Sequence, residues 1–210
     1  MRHALPTIAL TCVLAAGSSP PAAACAFDSG APGIFGSTFE AVHPKSSVVY
    51  FAIMDAIEQG VLDRAAFEAI APGPAGYWRA AGRIENVHRL LSATVAGLTP
   101  PPRAISLVFI ESNLWARLTP AAQGFDLALH TPAADAGDAV VLTSEGAIAA
   151  VLDGRLPVRL ALERGLIAID GDDSERAKDL IIAALERGEA PAAGTVGARN
   201  APVRLFGPAR

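Results

Sequence analysis

Residues 138–172 read DAVVLTSEGAIAAVLDGRLPVRLALERGLIAIDGD, and the order of elements in this stretch decides the fold class. Residues 138–143 are short, apolar and β-branched, as in a strand. Ser144-Glu145-Gly146 then opens a helix through Ile148, Val151 and Leu152, which Gly154 stops. Pro157 begins a second short helix carrying Val158, Leu160, Ala161 and Leu162, and Gly165 closes it. Residues 166–170 (LIAID) return to a strand. Ser174 caps a last helix over 175–187, where Ala177, Leu180, Ile181, Ala184 and Leu185 follow one helical stripe. Asp172, Asp173 and Glu175 suit the positive end of its dipole.

Upstream, the pattern has period two. Residues 104–111 (AISLVFIE) and 114–118 (LWARL) read as paired strands joined by a turn at Glu111-Ser112-Asn113. Residues 125–130 (FDLALH) put Phe125, Leu127 and Leu129 on one face and Asp126 and His130 on the other. Earlier still, Ile84, Val87, Leu90, Leu91, Val95 and Leu98 predict an amphipathic helix over 83–98, ended by Pro100-Pro101-Pro102. Residues 47–70 carry helical periodicity, interrupted at Gly60, with Asp63 as the cap of a further short helix; Pro72-Gly73-Pro74 is a turn. Trp78 and Trp115 read as core wedges, and His88 and His130 as structural. The residues read as an α+β chain with about five strands, preceded by a helical arm.

The ordered set in 138–172 resembles the sterol carrier protein type 2 family. Its strand ends in Leu142-Thr143, its first helix in Gly154-Arg155, and its second in Gly165-Leu166; the next strand ends in Gly171-Asp172. Arg159 and Arg164 stand where that family usually has lysines, and a tail follows the last helix. The resemblance extends over 83–187 and implies a sterol-carrier-like, non-enzymatic module, a mixed sheet of about five strands covered by helices, with an apolar tunnel for a lipid or other apolar small molecule. On that implication Phe109, Trp115, Leu127, Leu129, Ile148, Leu152, Leu180 and Ile181 are the lipid-binding candidates. The residues alone leave open whether these aliphatics line a tunnel or fill a core.

Composition narrows the alternatives. The 210 residues are 51% apolar and 18% charged, with 17 Lys+Arg against 21 Asp+Glu and a net charge of −4. This is too apolar for a disordered chain, and a mildly acidic balance argues against phosphate-backbone binding to nucleic acid. Two cysteines exclude a disulfide scaffold and an all-Cys zinc site. The Gly-x-Ser-x-Gly elbow, the dinucleotide and P-loop glycine patterns and a His-x-x-x-His pair are missing. Asp170-Gly171-Asp172-Asp173-Ser174 lacks the glycine at position six and the Glu at position twelve of a calcium loop, so it reads as a strand-to-helix turn. No cofactor is expected.

Residues 1–24 read as a signal peptide: Arg2 and His3, an apolar core over 4–16, a Gly/Ser/Pro break, then Ala22-Ala23-Ala24. The core is shorter than the roughly 20 residues of a membrane span. Cleavage after Ala24 would remove Arg2 and take the net charge from −4 to −5. The expected product is exported and periplasmic, with an arm over 25–82, the lipid-binding domain over 83–187 and a disordered tail over 188–210. Cys25 then stands first, as a plain thiol or as the site of a lipid anchor on a membrane surface. Cys25 with His43 also offers a soft metal site, making a metal or redox accessory protein the second reading. The third is an interaction module that forms a homodimer or docks on an enzyme.

Overall fold

The computed structural model describes residues 42–64, 74–96, 98 and 102–189. The signal segment, Cys25, the short helix expected after Asp63 (with Ala66, Phe67 and Ile70) and the tail lie outside these residues. Helix α1 spans Lys45–Glu58 and α2 spans Pro74–Val95. Strands β1 (Ile105–Phe109), β2 (Leu114–Ala121), β3 (Gly124–Leu129) and β4 (Ala139–Thr143) follow. Then come α3 (Glu145–Leu152), α4 (Val158–Glu163), β5 (Ile167–Asp170) and α5 (Ser174–Glu189). None of the described helices is long and apolar enough to cross a membrane.

The five strands form one mixed sheet in the order β3-β2-β1-β4-β5, with only the β1–β4 pair parallel. This is the fold class expected from the sequence. β2 runs further than its apolar pattern suggests, through Pro120. Pairing with β1 stops at Leu118, so the missing N–H of Pro120 breaks no ladder on that side.

Cross-strand partners share a face. Leu129, Ala116, Leu107, Val141 and Ile169 form one row, with Leu127, Leu118, Ile105 and Ala139 beside it. Trp115, Val108, Leu142 and Ala168 form a row on the opposite face. Both faces are covered, which is why β1 and β4 are buried at every position. Helix α2 grips the edge strand β3: His88 Nε2 donates to the Phe125 carbonyl at 2.6 Å, and the Phe125 N–H donates to Ser92 Oγ at 3.1 Å. Gly124 permits that approach, because a Cβ there would stand 2.6 Å from Ser92 Cβ. Helix α1 packs on β4 and β5. It lies on the Trp115 face, where the His43 ring stands 5.4 Å from Trp115.

Two expectations change here. Helix α2 begins at Pro74 rather than at 83, with proline at its first position, and the rest of the turn expected at 72–74 lies outside the described residues. Trp78 is not a core wedge: its side chain is 66% exposed, whereas Trp115 is buried.

Candidate functional site

The short strand β5 forms one edge of the sheet, between Gly165 (φ +73°) and Gly171 (φ +95°). Along it runs a groove of about 470 Å³. Its apolar surface comes from Leu162 of α4, from Ile167, Ala168 and Ile169 of β5, and from Ile182 of α5. Three cations stand around it: Lys45 at the start of α1, Arg159 of α4 and Lys178 of α5, with Glu163 and Glu175 among them. Lys45 Nζ donates to the Ile169 carbonyl at 2.7 Å and pairs with Asp170 at 3.3 Å. Arg159 Nε donates to Glu186 at 2.6 Å, and Lys178 lies 3.8 Å from Glu175. The groove thus combines an oily floor with a rim of mixed charge, the arrangement of a small-molecule site.

A second polar cluster sits where the parallel pair β1 and β4 ends. Glu145, at the start of α3, is buried, and Arg79 and Arg83 of α2 both reach it. Arg79 binds it through Nε at 2.6 Å and Nη2 at 3.1 Å, and Arg83 through Nε at 2.8 Å. The bond to Glu145 holds the Arg79 guanidinium more firmly protonated than usual. Glu111, in the β1–β2 turn, accepts the Glu145 backbone N–H at 2.5 Å. Burial pushes the Glu111 carboxyl up to about 8, despite the backbone hydrogen bonds that favour its charged form. Its second oxygen, Oε2, is buried without a hydrogen-bond partner.

The eight lipid-binding candidates do not converge on the groove, and none of them lines it. Phe109, Ile148, Leu180 and Ile181 are buried in the core, while Leu127, Leu129 and Leu152 are half-buried against it. Trp115 is on the other face of the sheet from Phe109, Leu127 and Leu129, so these four cannot surround one tunnel. His43 does not project from an exposed turn. It is half-buried beside Trp115, and burial lowers its pKa, with Asp170 opposing. Among the described residues no group of His, Cys, Asp and Glu could hold a metal ion.

Sequence reading missed the groove because its apolar residues look like ordinary core. Its cations come from three helices, and Lys45 lies far before the other two in the chain. The one available signal was the run of Arg159, Glu163, Glu175 and Lys178 flanking LIAID.

No family model matches the chain, and no curated protein matches it. Solved structures do resemble it. A UbiJ-SCP2 ubiquinone synthesis protein matches 55% of this chain over 100% of its own, at 14% identity and a TM-score of 0.38. A structure of sterol carrier protein 2 matches 55% of this chain over 96% of its own, at 15% identity and a TM-score of 0.37. The inverting sec-alkylsulfatase Pisa1 from Pseudomonas matches 43% of this chain at 14% identity and a TM-score of 0.34, and the chain spans 13% of that enzyme.

Proposed function

We propose that the chain binds a lipid or another apolar small molecule in the groove along β5, without chemistry, and that it acts outside the cytoplasm after loss of residues 1–24. The groove carries this reading: an apolar floor on the sheet edge, about 470 Å³ in volume, with charged side chains at its rim. That size falls in the usual range of small-molecule sites, roughly 300–1,000 Å³. Burying about ten methylenes gains roughly 8 kcal/mol, at about 0.8 each. Association costs about 4–15 kcal/mol, so the tail alone gives weak binding and polar contacts at the rim decide affinity. An amphiphile with one acyl chain and a polar head fits both parts. The sequence resemblance over 138–172 points the same way.

Native mass spectrometry of protein isolated from its own host, combined with displacement of a fluorescent fatty acid, tests the reading. The expected results are a copurified lipid and at least about tenfold weaker binding for Leu162→Glu, which puts a charge on the groove surface. A clean apo mass together with equal fatty-acid affinity in Leu162→Glu overturns it.

A further inference from the structure

We propose that the ligand of the β5 groove is an N-acyl amino acid, an acyl chain joined to an amino acid through an amide, bound as a one-residue strand on the open edge of β5; this rests on the groove holding an acyl chain. The phase of β4 fixes which backbone groups face the groove. The Ala139 N–H donates to the Ala104 carbonyl at 3.0 Å, and the Thr143 carbonyl accepts the Ile110 N–H at 2.9 Å. Ala139, Val141 and Thr143 therefore turn their N–H and C=O toward β1, while Val140 and Leu142 turn theirs toward β5. In the antiparallel register Asp170 and Ala168 face Val140 and Leu142, so Ile167 and Ile169 point their own groups away from β4. Lys45 agrees with that direction: it lines the groove, and its Nζ reaches the Ile169 carbonyl at 2.7 Å.

This leaves the Ile167 N–H and C=O and the Ile169 N–H without a hydrogen-bond partner among the described residues. Both residues line the groove, yet they are only 2% and 9% exposed. Backbone groups kept from water are costly to leave unpaired, so a ligand that supplies a donor and an acceptor gains here what a bare hydrocarbon cannot. Parallel pairing takes the C=O of one edge residue and the N–H two residues on. Ile167 and Ile169 offer that pair. An N-acyl amino acid carries its complement, an amide N–H for the Ile167 carbonyl and a carboxylate oxygen for the Ile169 N–H. The two ends of the groove set the same direction. Leu162 stands just before β5, and the bond from Arg159 of α4 to Glu186 shows that α5 runs back toward that end, bringing Ile182 with it. Lys45 stands at the other end, on Ile169 and Asp170, with a third N–H left for the carboxylate. The acyl chain thus runs toward Leu162 and the carboxylate toward Lys45, which is the parallel sense.

Three ligands test this on the full chain, each competing with a fluorescent fatty acid: dodecanoic acid, N-dodecanoylglycine, and the ester in which oxygen replaces the amide N–H. We expect the amide to bind about tenfold more tightly than the ester, which leaves the Ile167 carbonyl without its donor. An apolar surface with no partner for the amide gives the reverse order, because an ester is the easier group to take out of water. The Ile169 backbone N–H resonance should also move downfield as N-dodecanoylglycine binds. Neither measurement needs a variant that must fold. Dodecanoic acid that binds while the amide shows no advantage over the ester overturns the amide proposal and leaves the lipid groove standing. An Ile169 N–H resonance that stays in place as the amide binds overturns it as well. Binding by none of the three overturns the groove and the amide site together.

Discussion

The Glu111 carboxyl accepts the backbone N–H of Glu145 at 2.5 Å, tying the β1–β2 turn to the first turn of α3 across 34 residues of chain. Ser144 completes that end as N-cap, its Oγ accepting the Ala147 N–H at 3.0 Å. An acid fully out of water that caps a helix is pulled two ways. The dipole and the N–H favour its anion, and desolvation opposes it more strongly.

That balance makes stability depend on pH. The Glu111 carboxyl moves from 4.5 to about 8 on folding, so the native state holds this proton more tightly than the unfolded chain. Its contribution is complete below pH 4.5 and is lost as pH rises to about 8, at up to ~1.4 kcal/mol per pH unit. Glu111→Gln keeps an oxygen for the Glu145 N–H and should flatten the dependence. Urea unfolding at about pH 5 and about pH 8 checks this. Parallel pH profiles for the parent and Glu111→Gln would refute it. Asp138 does not interfere in this range. Burial raises it, but hydrogen bonds from Arg117, Ser106 and the Asp135 N–H outweigh burial and leave it below 3.8. Its contribution is therefore present above that value and is lost only as pH falls further.

Asp138 is the anchor at the other end of the same strands. It accepts Ser106 Oγ–H at 2.6 Å and takes Arg117 Nε and Nη2 at 2.9 and 3.0 Å. Ser106 is fully buried in β1. Asp138→Ala would strand its hydroxyl without an acceptor, a loss of about 1–3 kcal/mol. Ser106→Ala alone should cost less, and adding it to Asp138→Ala should cost almost nothing more. Thermal unfolding of the four-member cycle measures the coupling. Strictly additive losses would show that the pair does not act as a unit.

Glycine positions differ in what surrounds them. Gly154 (φ +68°) and Gly171 (φ +95°) both end elements, yet a Cβ at Gly154 meets nothing within 4 Å, while one at Gly171 would lie 2.5 Å from the Asp138 carbonyl oxygen. Alanine at Gly154 should therefore cost only the left-handed penalty, about 1–2 kcal/mol. At Gly171 the strand pair β4–β5 must also shift, and the loss should be larger by about 2 kcal/mol or more. Equal denaturation midpoints for the two alanine variants would rule this out.

Local chemistry was legible where one element decides it. Ser144, Gly154, Gly165 and Gly171 are readable as stops and caps from residue type alone, and each sits at the end of its element. The alternation of Phe125, Leu127 and Leu129 gave the correct face of β3. The start of α2 was not legible, because Ala75–Gly82 carries no apolar stripe. Ala80 and Ala81 are buried there through tight packing, which small residues allow without any hydrophobic signature. The groove was hidden for a related reason. Ile167 and Ile169 alternate as any strand does, and only the position of β5 at the sheet edge opens them to a cleft. The arginine pair was hidden by distance, since Arg79 and Glu145 are 66 residues apart.

The largest departure concerns residues 45–58, expected as part of an arm outside the lipid-binding domain. Val49 and Ile53 are fully buried, and α1 lies across β4 and β5 on the face that carries Trp115, Val108 and Leu142. Those three side chains are 3%, 0% and 0% exposed, so that face is out of water, and α1 covers its β4 and β5 end. If α1 belongs to the same cooperative unit, Ile53→Ala should destabilise the whole chain by about 2–5 kcal/mol, as expected for a fully buried aliphatic. Unfolding should stay a single transition by far-UV circular dichroism and by Trp fluorescence, because the Trp115 ring stands 5.4 Å from His43, just before the helix, and reports its release. An early fluorescence change followed by a separate loss of strand signal would instead make α1 a detachable arm. A loss well under about 1 kcal/mol would mean that the sheet face tolerates its removal.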